Sequence, residues 1–232
     1  MKKPANDPRI SVNKLAEYMG AKAARQRQIL RDQKYPTDFK GMYYREAAEA
    51  ISSCLASNGD NTQILERVIA KLEQSSPENI GTQRRIAANI DALENFQLML
   101  DDVFPLAGEP SLAANTAPKL TYFNVDVSVR PDVLLKASAK NGSPLLGAIK
   151  LHFPKTFSLD DDAASIVSAV TQEWFKSCYP DDGVPSGQIC YVIDIGTRRV
   201  CKGAKSTVAR LKDVQASCQN IVGVWPTIKE SG

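Results

Sequence analysis

The chain has 232 residues, 43% of them hydrophobic, which is enough for a real core in one large domain or two small ones. Its 29 Lys and Arg against 26 Asp and Glu leave a charge of +3, too little to argue for nucleic acid except through local clustering. Five widely spaced cysteines without a CxxC pair, a single histidine, no apolar run near the roughly 18 residues of a membrane span and no signal-peptide core after Met1 to Pro8 argue against a zinc site, a disulfide framework, secretion and a membrane partner; a cytoplasmic protein is expected.

The front of the chain carries helical periodicity. Ser11 is positioned to cap a helix with Val12, Leu15, Ala16 and Met19 on one side, and Gly20 interrupts it. Residues 21–34 form the most basic segment, with Lys22, Arg25, Arg27, Arg31 and Lys34 against the single acid Asp32; Pro36 ends it. Further helices are expected over 43–55, 62–72 and 82–103, the last following the Ser75-Ser76-Pro77 break. Residues 1–104 are therefore expected to be all helical. Periodicity then fails across 105–118, where proline and small residues suggest a linker or crossover.

Residues 119–232 alternate differently. Period-2 patterning predicts strands over 120–130, 133–137 and 145–153, with Asn141-Gly142 as the strongest turn signal in the chain, so that 120–153 is expected to form an antiparallel hairpin. Asp160 to Asp162 supply acids for the start of a helix through Ala163, Ile166, Val167, Val170, Trp174 and Phe175, stopped before Pro180. A buried strand is expected over 189–195 and a last helix over 206–220. The expected class is α+β: a helical N-terminal region, then a small α/β domain around a central mixed sheet.

Chemistry concentrates on one polar stripe. Alternation sets Asp126, Ser128 and Arg130 opposite Val125, Val127 and Val129, and sets Ala148, Lys150 and His152 opposite Ile149, Leu151 and Phe153. The order of strand, strand, strand, helix, strand, helix, preceded by a helix, resembles the core of the PD-(D/E)XK, or restriction-endonuclease-like, nuclease superfamily over residues 84–225. In that superfamily a Pro-Asp starts the second strand, and an acid, any residue and a lysine sit on the third. Pro131-Asp132 fits the first element, while Ala148-Ile149-Lys150 supplies the lysine without the acid. The resemblance implies Asp132 and Lys150 as catalytic residues, Mg²⁺ or Mn²⁺ as cofactor, and DNA or RNA as partner. A hard cation wants several oxygen ligands, so Asp126 and Glu173 are the candidates to join Asp132 in holding a metal.

Each feature has a plainer reading beside it. Asp132 and Lys150 also suit a cross-strand ion pair, and Arg130 either grips a phosphate or pairs with Asp126 or Asp132. Lys22, Arg25, Arg27 and Arg31 either track a nucleic-acid backbone or form a solvated helix face. His152 serves as general base or as structure, and Asp160 to Asp162 suit a helix start better than a calcium loop. The leading expectation is a bacterial or phage-type protein with a nuclease-related fold that engages nucleic acid, as a metal-dependent nuclease with an altered site or as an inactive descendant. The alternatives are a non-catalytic protein that binds a protein partner through its helical region, and a helix-turn-helix regulator.

Overall fold

The computed structural model describes residues 4–36, 43–114, 116–154, 157–204 and 206–230. The first three residues of the polar opening, and Asn115 of the expected linker, lie outside them. A short strand comes first, β1 (Arg9–Ser11), followed by helices α1 (Val12–Gly20), α2 (Ala23–Lys34), α3 (Arg45–Ala56), α4 (Gln63–Glu73), α5 (Ile80–Gln97) and α6 (Leu100–Val103). Then come β2 (Glu109–Leu112), β3 (Leu120–Tyr122), β4 (Val125–Ser128), β5 (Val133–Ser138), β6 (Pro144–His152), α7 (Asp161–Cys178), β7 (Val184–Asp194), β8 (Arg199–Lys202) and α8 (Val208–Val224).

The structure is mixed α/β, with strands spread through the chain rather than confined to its second half. β1 lies in the front region expected to be all helical and pairs parallel with β4, Ile10 opposite Val127. β2 forms inside the stretch expected to be a linker and pairs antiparallel with β5. The strands make two sheets, one ordered β1-β4-β3 and the other β2-β5-β6-β7-β8. The expected hairpin over 120–153 is accordingly two hairpins in two different sheets. Phe123 and Asn124 both adopt left-handed φ, 49° and 65°, and close a two-residue turn between β3 and β4. Phenylalanine is a poor advertisement for such a turn, so the sequence conceals it.

The second hairpin forms as expected around Asn141-Gly142. Gly142 takes φ 82°, and the Asn141 side chain accepts from Ser143 N at 3.1 Å, the local bond that makes asparagine a turn residue. α7 then carries the chain from β6 back to β7, which runs parallel to it. Asp160 caps α7 by accepting from Ala163 N at 2.8 Å, and Asp161 and Asp162 set negative charge in its first turn. Both faces of the five-stranded sheet are covered. Val133, Leu135, Ile149, Leu151, Tyr191 and Ile193 pack with α3, α4 and α5, whereas Leu146, Ala148 and Val192 pack with α1, α2, α7, α8 and the small sheet. Each core thus draws on residues from before and after 105–118.

β6 is the middle strand and leaves little room on the side of β7. A Cβ at Gly147 would stand 2.1 Å from the Ile189 carbonyl oxygen, at the point where the β6–β7 register shifts. Gly147→Ala should therefore lower the unfolding free energy by about 2 kcal/mol or more, read as a shift of the urea midpoint at unchanged slope.

Candidate functional site

The site begins with a missing donor. The β5–β6 register sets Val133 opposite Ile149, and two positions on it would set Pro131 opposite Leu151. Proline has no N–H to give to the ladder, so Leu151 needs another donor for its carbonyl. Its N–H donates to Asp132 Oδ2 at 2.8 Å, and its carbonyl accepts from Asn13 Nδ2, on the first turn of α1, at 2.9 Å. Two side chains thus replace the strand that β5 no longer supplies.

Lys150 completes the arrangement. Its Nζ donates to the same Asp132 Oδ2 at 2.6 Å, and the two side chains retain only 16% and 18% exposure for lysine and aspartate. The Pro-Asp and the lysine on the next strand therefore do meet. Ala148 stands one alternation before Lys150 and is 2% exposed within the core beneath α7.

The other residues singled out in the sequence lie elsewhere. Asp126 is on β4 of the small sheet, where Oδ2 accepts from Lys119 Nζ at 2.9 Å and Oδ1 from Thr121 at 3.2 Å. Glu173 is on α7, 3.8 Å from Lys176. Among the described residues, no group of three or more His, Cys, Asp or Glu side chains is arranged to hold a metal ion. The donor set at Asp132 does not fit Mg²⁺ or Mn²⁺: it offers one carboxylate already engaged by an ammonium, with an alanine where a second acid would stand.

Arg130 is exposed and adopts φ 40°, thrown outward between buried Val129 and buried Pro131. Much of the basic segment on α2 is tied into the fold. Arg25 and Lys14 both bind the buried carboxylate of Glu17, Arg31 Nε donates to the Lys229 carbonyl at 3.1 Å, and Lys34 Nζ donates to the carbonyls of Trp225 and Ile228 at 2.9 and 3.0 Å. Lys22 and Arg27 remain exposed. Burial pushes the Glu17 carboxyl upward, but the bonds and charges of Lys14 and Arg25 outweigh it and hold it below the ordinary value.

His152 follows Lys150 by one alternation and is 2% exposed. Its Nε2 lies 2.7 Å from the Phe157 carbonyl oxygen, which fixes the tautomer with hydrogen on Nε2; Nδ1 then faces Asn13 Nδ2 at 3.5 Å. Desolvation lowers its pKa, against the opposing effects of the Phe157 carbonyl and Asp194. Asp194 lies beside His152 at the end of β7 and accepts from Leu159 N at 2.7 Å and Thr197 N at 3.1 Å. The sequence does not single out Asn13, Glu17 or Asp194; Glu17 and Asp194 carry a signal there as polar residues between apolar neighbours, and Asn13, beside Lys14, carries none. Burial disfavours a thiolate at each cysteine: it pushes Cys54 and Cys190 up to about 11 and Cys218 up to about 12, and it raises Cys178 and Cys201 as well.

No helix among the described residues is long and apolar enough to cross a membrane. A scan against models of known protein families gives no match, and a search of curated proteins gives none either.

Two outcomes test this geometry. Asp132→Ala should cost about 1–3 kcal/mol in urea unfolding, because it leaves the Leu151 N–H and the Lys150 ammonium without their acceptor. Desolvation holds the His152 pKa below its ordinary value in the fold, so the side chain gains its proton more readily when unfolded. The unfolded state therefore binds more protons below its ordinary value near pH 6.5, and stability should fall as the pH drops from 7 toward 5, at no more than about 1.4 kcal/mol per pH unit. Replacing His152 by Gln should remove that part of the pH dependence.

Proposed function

We propose that this chain has a restriction-endonuclease-like core and engages nucleic acid without hydrolysing it, as an inactive descendant of a metal-dependent nuclease. The observation that carries the reading is the meeting of Asp132, behind Pro131 at the head of β5, with Lys150 on β6, while buried Ala148 stands where the superfamily has its acid. In the five-stranded sheet β5, β6 and β7, with α7 between the last two, follow the expected order, whereas β3 and β4, formed by the stretch 120–130 expected as the first core strand, lie in the other sheet and β2 takes the place beside β5. Hydrolysis of a phosphodiester by this class needs a metal to activate water and stabilise the developing charge. Lys150 instead neutralises the one carboxylate available, which favours binding over cleavage. The exposed cations Lys22, Arg27 and Arg130 are the groups left for phosphate contact.

The test has two arms. Incubated with Mg²⁺ or Mn²⁺, the wild-type chain should leave DNA and RNA oligonucleotides intact; cleavage that disappears in both Asp132→Ala and Lys150→Ala would establish an active nuclease instead. In a gel shift, binding should weaken steeply with rising salt, and the double charge reversal Lys22→Glu, Arg27→Glu should reduce the salt slope by about 2 if each residue contacts one phosphate. Absence of salt-sensitive binding would remove nucleic acid from the reading and leave the protein-partner alternative.

A further inference from the structure

Asn13 and His152 meet where α1 starts beside the end of β6, and their contact sets a condition on the proton that His152 can carry. The Phe157 carbonyl holds hydrogen on Nε2, so Nδ1 of the neutral ring offers a lone pair. Asn13 Nδ2 lies 3.5 Å from that nitrogen and donates to the Leu151 carbonyl at 2.9 Å. One amide nitrogen thus directs its two hydrogens at two acceptors. Asn13 Oδ1 is left buried without a hydrogen-bond partner, a costly exception for a polar atom. The Leu151 carbonyl fixes this orientation, because turning the carboxamide over would bring Oδ1 against the Leu151 oxygen.

A proton on Nδ1 reverses the fit. Imidazolium has two donors, and the Phe157 carbonyl takes only the one on Nε2. The other would face the Asn13 NH2 group, donor against donor, while the acceptor it needs, Oδ1, is on the other arm of the same carboxamide. Turning the carboxamide satisfies both Nδ1–H and Oδ1, but it strips the Leu151 carbonyl of its donor and sets two oxygens at hydrogen-bond distance with no hydrogen between them. Pro131 has no N–H to offer instead. Relief therefore requires the first turn of α1 to draw away from β6.

The charged surroundings act on the ring in both directions. Burial is the largest effect and disfavours the proton; Asp194 on β7, Glu17 on α1 and the Phe157 carbonyl favour it, and Lys14 on α1 opposes it. Lys150, two residues back on β6, is paired with Asp132. We propose that Asn13 and His152 form a proton-operated latch: neutral His152 keeps Asn13 on the Leu151 carbonyl and α1 on β6, and protonated His152 turns the Asn13 carboxamide and releases the first turn of α1 from the sheet.

The test is an NMR titration of the untagged full chain from about pH 8 to about pH 4.5, in which His152, the single histidine, gives an unambiguous ring signal. The His152 ring, the Asn13 side-chain NH2 signals and the exchange protection of the Ala16 and Glu17 amides in α1, corrected for intrinsic exchange at each pH, should change with one midpoint. Protection at those two amides should fall roughly tenfold. In His152→Gln these changes should vanish. In Asn13→Ala the ring should still titrate, with about fivefold tighter proton binding because the opposing N–H is gone, whereas α1 protection should be low throughout and independent of the ring. Loss of protection in α5, on the far face of the sheet, at the same midpoint would mean global unfolding and would overturn the latch. So would α1 protection that ignores the ring in the wild-type chain, that still falls in His152→Gln, or that still follows the ring in Asn13→Ala. If Asn13→Ala does not fold, the wild-type titration, His152→Gln and the α5 comparison decide it.

Discussion

Strand β6 has to be satisfied along both edges and buried on both faces, and most of the molecule is arranged around that need. On one edge β7 runs beside it in parallel, which requires the long crossover through α7; on the other, β5 returns through the Asn141-Gly142 turn. Parallel strands are usually covered on both sides, and here α3, α4 and α5 take one face while α1, α7 and α8 share the other. Where Pro131 interrupts the ladder, the Asn13 carboxamide supplies the donor for the Leu151 carbonyl and the Asp132 carboxylate accepts from the Leu151 N–H. The candidate site is therefore also a repair of the sheet.

This double duty explains why Asp132 and Lys150 support two readings. As structure, Asp132 accepts a backbone N–H and an ammonium on one oxygen, an arrangement that holds the head of β5 against β6. As chemistry, the proposed nuclease-related reading gives the same carboxylate and lysine the parts of metal ligand and catalytic lysine. The first role is met by the residues present; the second lacks an oxygen ligand, because Ala148 is packed beneath α7 instead. The buried polar groups around it, His152 on the Phe157 carbonyl and Asp194 on Leu159 and Thr197, likewise use their hydrogen bonds to fix the loops that leave β6 and β7.

Elements with a strong local mechanism were legible in the sequence. Asparagine followed by glycine, flanked by alternating apolar residues, specified the β5–β6 turn, and three consecutive aspartates before an apolar helix specified the start of α7. The stretch 189–195 showed its burial through a largely apolar run, interrupted at Asp194. Weakly marked elements were not legible. β1 is three residues long and exists only because β4 offers it a partner; β8, with Arg199 and Lys202, carries the charges expected of an edge strand rather than alternation. The basic segment 21–34 was visible as charge, but its use was not, since the acceptors for Arg25, Arg31 and Lys34 are Glu17 and backbone carbonyls near the end of the chain.

By itself the sequence determined part of the local geometry: the turn at Asn141-Gly142, the start of α7, and which face of β6 carries Lys150 and His152. These follow from backbone preferences and residue periodicity, which act over a few positions. Only the tertiary structure decided that the polar stripe divides between two sheets, that Asp126 and Glu173 find other partners, and that Asn13 reaches Leu151 from 138 residues away. Those outcomes depend on which unsatisfied donors and acceptors meet when distant segments are buried together, and a spacing along the chain does not contain that information.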